Sequence, residues 1–330
     1  WSTPERTVVF LDDQEVLTRP GDVRPAVAGV FTEVADATGL HVQVTTDTRF
    51  QTTITPLKAG IGAVALIALA GMLVAVRRLD GPARIQLATS PTRRRWRPRA
   101  VDTVVIALLG VWWIVGGITV DDGYITGIVR SRASNGFIGN VYRWLNAPEA
   151  PFSWFYDLYW AWSQVSSSTV WMRLPSTLLG LLCWVLLSRF VLPRLGRVAT
   201  RPSTPWLAGL AFATWWIPFN LGLRPEPWVA TGLLGVFLLV EQAIATRRLF
   251  PLATGLVVAG ATTAVTPAGL MAFTPFVAAA VPVARLLRVR RDLSRAALIA
   301  MLVAAPASAL LLMAADQSLA AIREATRVRT

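Results

Sequence analysis

Apolar residues gather in eight runs along the chain, at 60–76, 101–120, 174–192, 206–221, 228–245, 252–265, 269–284 and 296–315. Most are long enough, or nearly so, to cross about 30 Å of hydrocarbon as helices. The run at 252–265 is short and meets Thr266-Pro267, which predicts a tilted or broken span. Ahead of these runs the period changes. β-Branched residues alternate at 7–11, 27–34, 41–46 and 52–55, with turn residues at Arg19-Pro20-Gly21 and Thr38-Gly39. The pattern predicts an all-α polytopic membrane protein over 57–330 with about eight spans, preceded in 1–56 by the last strands of an extracytoplasmic β-sandwich domain.

Composition supports that class and adds an orientation. Hydrophobic residues form 54% of the 330, charged residues only 15%, and the mean hydropathy is +0.51, which a soluble domain rarely shows. The chain opens on Trp1 with no initiator Met or cleavage site, so it is expected to be an internal piece of a longer protein. The net charge of +13 is uneven. The linker 77–99 holds Arg77, Arg78, Arg84, Arg93, Arg94, Arg95, Arg97 and Arg99 against Asp80 alone, and further clusters lie at 189–201, 247–248 and 285–295. Such clusters occupy every second loop, while Asp121, Asp122, Glu149, Asp157, Glu226 and Asp316 occupy the others. By the positive-inside rule, 77–99 is cytoplasmic and 1–56 and 121–170 are extracytoplasmic, on a multi-pass protein of the plasma membrane. Orientation and attraction to anionic lipid account for the basic clusters, so nucleic acid is not expected as a partner. With Cys183 and His41 the sole members of their types, no internal disulfide or Cys/His zinc site is available.

Chemistry is expected in the loop 121–170, which is long, apolar and crowded with aromatic rings. The run 152–162 predicts a helix lying at the interface, with rings at headgroup level or against a sugar or lipid tail. Asp121 and Asp122 stand at the mouth of the second apolar run. One of them suffices to cap the following helix; the other is free for general-base chemistry, because adjacent like charges favour holding a proton. Capping and an ion or transport site are the competing roles. Glu149 sits between Pro148 and Pro151, which fix its direction, unless it is simply a solvated loop acid. Arg224 and Glu226 share a tight Pro-rich turn and either face substrate or pair with neighbouring loops. The centres of the spans carry almost no ionisable residue, unlike an ion-coupled transporter.

Five segments carry a family resemblance: Asp121-Asp122-Gly123-Tyr124, Trp144-Leu145-Asn146-Ala147-Pro148-Glu149-Ala150-Pro151-Phe152, Trp171-Met172-Arg173-Leu174-Pro175, Ser188-Arg189-Phe190-Val191-Leu192-Pro193-Arg194-Leu195-Gly196 and Pro218-Phe219-Asn220-Leu221-Gly222-Leu223-Arg224-Pro225-Glu226. In this order they resemble the mycobacterial Emb arabinosyltransferases, the ethambutol-sensitive enzymes of cell-wall arabinan synthesis, nearest to the A member. The resemblance implies the transmembrane half of a GT-C type glycosyltransferase behind a carbohydrate-binding-like β-domain. It implies transfer of arabinofuranose from decaprenylphosphoryl-arabinose to a growing arabinan chain outside the membrane, with inversion. Asp121 maps to the general base, with Glu149 beside it to hold sugar hydroxyls and Tyr124 in the same pocket, where ethambutol is expected to bind. Asp122, Arg224 and Glu226 are the remaining substrate-binding candidates. Groups handling the donor phosphate are expected beyond this chain. Further partners implied are membrane lipid, a B-member subunit in a heterodimer, and an acyl carrier protein at the linker 77–99. No cofactor is implied; a divalent cation at Asp121 and Asp122 suits the ligand chemistry but lipid-phosphate sugar transfer does not demand one. Two other classes compete: a transporter or flippase for a polyprenyl-linked sugar, and a non-catalytic partner subunit of a related transferase.

Overall fold

The computed structural model describes residues 5–11, 13–21, 54–81, 97–117, 119–135, 138, 152, 154–290, 293–314, 318–320 and 323. Glu149, His41 and most of the Arg-rich linker therefore lie outside the described residues, as do the expected strands at 27–34 and 41–46. The β-region contributes one antiparallel hairpin, β1 (Arg6–Leu11) and β2 (Gln14–Pro20), with Arg6 opposite Pro20 and a bulge at Val9 and Phe10. Asp13 turns it at φ 63°, a left-handed geometry that short polar side chains tolerate. The apolar alternation does not single out β2, because its side chains are all exposed. Thr55, expected to end a strand, instead caps a helix: its hydroxyl accepts from the Lys58 amide at 3.3 Å, with Pro56 at the first helical position.

Twelve helices follow among the described residues: α1 (Pro56–Leu79), α2 (Ala100–Val115), α3 (Val120–Asn135), α4 (Trp154–Ser163), α5 (Thr169–Leu186), α6 (Ser203–Trp216), α7 (Glu226–Thr246), α8 (Leu249–Thr263), α9 (Thr274–Ala278), α10 (Ala280–Val289), α11 (Arg295–Ala307) and α12 (Ala309–Ala314). Among the described residues, four stretches are long and apolar enough to cross a membrane: Pro56–Leu79, Thr169–Thr200, Glu226–Thr246 and Arg295–Met313. A fifth arises if the two segments Pro267–Ala278 and Ala280–Val289, bent by 63°, count as one span. The short run at 252–265 becomes α8, only 15 residues long, and the run at 101–120 stops early. Gly116 leaves the helix with ψ 147°, so α2 ends at Val115 and α3 begins as a separate helix. Asp121 and Asp122 consequently lie in the first turn of α3, where the helix dipole favours carboxylates, and not at the end of a span.

Antiparallel neighbours are fastened at both ends. Asp102 at the start of α2 accepts from the Arg99 amide (2.7 Å), the Trp184 indole (3.0 Å) and both terminal nitrogens of Arg189 (3.3 and 2.5 Å). Arg189, expected only as a member of the basic cluster at 189–201, is buried. It is held where α5 widens into a π turn (Leu187–Val191) before the 3-10 segment Leu192–Thr200. Asp80, just past α1, accepts from the amides of Leu249 (3.0 Å) and Phe250 (2.7 Å) and from Arg290 (2.6 Å). One carboxylate thus caps α8 and ties it to α1 and α10. At the other end the α4–α5 corner is closed by Trp162 and Trp171, stacked at 4.3 Å, each indole donating to the other's backbone carbonyl (2.9 and 3.0 Å).

Candidate functional site

The rings of α4 build the wall behind the site. Phe155, Tyr156 and Tyr159 are buried in one cluster with Ile125, Ile128 and Val129 of α3, Met172 of α5, Leu223 and Val229. The expected surface helix is therefore packed into the core on one face. Arg132 of α3 locks it down, ion-paired to Asp157 and lying 4.1 Å over the Trp160 ring. Tyr159 contacts the Ser176 hydroxyl at 3.5 Å, and burial pushes its phenol above the usual range. Ser176 in turn donates to the carbonyl of Gly222.

The loop 220–223 is pinned from every side, and Asp122 is its anchor. Its Oδ1 accepts the Leu223 amide at 3.0 Å; its Oδ2 accepts the Thr119 hydroxyl at 2.7 Å and the Thr119 amide at 3.3 Å. The Thr119 hydroxyl accepts back from the Asp122 amide at 3.3 Å, so the two residues form a reciprocal capping pair at the start of α3. Asp122 is 6% exposed. A Cβ at Gly222 would collide with its carboxylate, which is why the loop carries glycine there. Asn220, fully buried, donates to the Leu109 carbonyl of α2 at 3.1 Å.

Past the pinned loop, Arg224 turns outward. It meets Asp121 at 3.2 Å and Glu226 at 2.9 Å, and its guanidinium lies 5.1 Å from the Phe219 ring centroid. The Asp121 side chain stays 58% exposed. The two acids thus divide: Asp122 is consumed by structure, and Asp121 faces solvent with one cation beside it. Tyr124 is half-buried against the α4 cluster, one turn along α3. Asp121, Asp122, Arg224 and Glu226 are brought together across about 100 residues of sequence, whereas Glu149 lies outside the described residues.

A cavity of about 330 Å³ opens on another stripe of α3. Asp122, Thr126 and Arg130 line it at i, i+4 and i+8, facing Ser167, Thr169 and Arg173 at the start of α5. Sequence reasoning passed over Arg130, Arg173, Thr119 and Asn220. The available signal was Arg173, a charge set directly against the start of the apolar run at 174–192.

Comparison with known proteins identifies the family of this chain. Residues 53–330 match the family described as mycobacterial cell wall arabinan synthesis protein. The chain is 40% identical to a probable arabinosyltransferase B of Mycolicibacterium smegmatis, over 98% of this chain and 31% of that protein. It is 37% identical to a probable arabinosyltransferase A of Mycobacterium tuberculosis, over 94% of this chain and 30% of that protein. These values do not separate the A from the B member. The cryo-EM structure of arabinosyltransferase EmbB from Mycobacterium smegmatis superposes with a TM-score of 0.80 at 38% identity, covering 86% of this chain and 28% of that one. The chain spans about a third of the length of these relatives, and within that third it is a multi-pass helical membrane protein that belongs to the mycobacterial cell-wall arabinan synthesis family.

Proposed function

We propose that this chain carries the acidic part of an arabinosyltransferase site, with Asp121 as general base. The observation that carries the reading is the division of labour in the pair: Asp122 is fully hydrogen-bonded and buried, while Asp121 is left exposed beside Arg224. The proposed reaction takes arabinofuranose from decaprenylphosphoryl-arabinose to an arabinan hydroxyl. The hydroxyl oxygen attacks the anomeric carbon from the face opposite the phosphate as the bond to the phosphate oxygen breaks. The hydroxyl proton passes to Asp121, the bonding pair leaves with decaprenyl phosphate, and configuration inverts without a covalent intermediate. Decaprenyl phosphate is a stable anion, so the leaving group needs little acid help. Arg224 keeps Asp121 oriented, and its stacking on Phe219 fixes it in turn. The charge pattern supports a site on the extracytoplasmic face, which is the depth of a lipid-linked sugar in the proposed reaction. Glu149 as a sugar-hydroxyl acceptor, Tyr124 in the pocket wall, ethambutol as an occupant, a related partner subunit and an acyl carrier protein at the linker are parts of the same proposal.

Removal of a general base typically costs about 10²–10⁴-fold in rate. Asp121→Asn in the full-length protein is expected to lose transfer from lipid-linked arabinose by that factor while its melting temperature holds. Near-wild-type turnover in a membrane assay would remove Asp121 from the mechanism.

A further inference from the structure

The cavity beside α3 contains a cation that the fold leaves unfilled. Arg173 is 4% exposed, its Nε has no hydrogen-bond partner among the described residues, and its Nη1 makes only a long contact of 3.5 Å to the Trp113 carbonyl. A buried guanidinium normally spends its donors on carboxylate, phosphate or carbonyl oxygens, because desolvating them without partners is costly. The acid on the cavity wall does not fill that need: both oxygens of Asp122 are already engaged with Leu223 and Thr119. Arg130 lines the same cavity from α3, so two cations face one carboxylate there.

A third feature adds to the cations. Ser167 and Thr169 line the cavity at the start of α5, an 18-residue helix whose N-cap Ser168 makes no side-chain capping bond. First-turn amides of such a helix point toward an anion. Thr169 and Arg173 are one turn apart, so the helix start and the buried cation share a face. The stacked pair Trp162 and Trp171 fixes this corner before any ligand arrives. We propose that the cavity between α3 and the start of α5 binds a phosphate ester, with Arg173 and Arg130 as its cationic walls and the first turn of α5 as its third donor. Asp121 does not line this cavity. The phosphate of a polyprenyl carrier and that of a phospholipid headgroup share this chemistry. The site is inferred independently of the arabinosyl-transfer reading, since binding is measured without turnover.

The test titrates inorganic phosphate into the full-length protein in maltoside-detergent micelles, which carry no phosphate of their own, followed by calorimetry. Saturable binding is expected, weakened about tenfold or more by loss of a charge-assisted hydrogen bond in Arg173→Gln and in Arg130→Gln. Arg194→Gln, which removes a surface ion pair with Glu241, is expected to leave binding unchanged. Arg173 is buried and its substitution can disturb the helix start, so the exposed Arg130 decides the matter. Competition with a short-chain polyprenyl phosphate and with phosphatidylglycerol then identifies the carrier: the lipid that displaces phosphate at lower concentration is the occupant, and equal displacement means that the site reads the phosphate alone. Absence of saturable binding, or equal affinity in wild type and Arg130→Gln, would overturn the proposal.

Discussion

Asp122 shows how a carboxylate is withdrawn from chemistry. Its three acceptor bonds are shared between the start of α3 and a loop 101 residues away. Asparagine has the same shape but carries an NH₂ where one oxygen stood, so a buried donor on Thr119 or Leu223 loses its acceptor. That loss costs about 1–3 kcal/mol. Asp122→Asn is expected to lower the melting temperature, with activity falling only as folded protein falls, whereas Asp121→Asn separates the two readouts. Gly222→Ala is expected to destabilise by about 1–3 kcal/mol or more, because the new methyl displaces the Asp122 carboxylate. Thermal unfolding monitored by tryptophan fluorescence checks both. That one acid of the pair caps the following helix was legible in the sequence, since one cap suffices for one helix; which of the two does so was not. The partner of Asp121 was not, because the Asp121–Arg224 contact joins two turns that no local pattern relates.

Elements here are matched by their buried charges as much as by their apolar faces. Asp102 and Arg189 belong to α2 and to the π turn after α5, and each would be a lone charge against apolar helix without the other. Breaking such a pair costs about 3–5 kcal/mol, whereas replacing both partners with apolar groups is far milder. Arg189→Met is therefore expected to lower stability more than the double change Arg189→Met with Asp102→Leu, and a double-mutant cycle on urea or thermal midpoints measures the coupling. Sequence pattern marks Arg189 as one more positive loop charge because hydropathy reads composition, and composition is blind to pairing. The same limit hid the burial of α4: Phe155, Tyr156 and Tyr159 fit an interfacial belt equally well until Leu223 and Met172 are placed against them. The stop of α2 at Val115 followed local chemistry, Gly116 and Gly117, that an apolar run of 20 residues concealed.

At the scale of the molecule, most of the helical bundle was readable because long apolar runs announce themselves, and the ends of the short or broken ones were not. Sidedness is testable with a single-cysteine series. Cys183→Ser removes the one thiol of these 330 residues, to be combined with replacement of any cysteine elsewhere in the full-length protein, and keeps a hydroxyl for the contact with Thr231 at 3.2 Å. In that background Leu17→Cys is expected to react with a membrane-impermeant maleimide in intact cells, and Arg97→Cys only after permeabilisation; the reverse pattern inverts the topology. The helix α1 has a bare surface over most of its length, with Val76 its only buried residue. What secures it is Asp80, whose amide partners at Leu249 and Phe250 lie 169 and 170 residues later, and whose arginine lies 210 residues later. At a synthesis rate of about 5–20 residues per second, α1 waits roughly 10–40 s for the whole of that clasp. Among these helices the first to leave the ribosome is thus the one whose carboxylate clasp closes late, after most of the described bundle has been made.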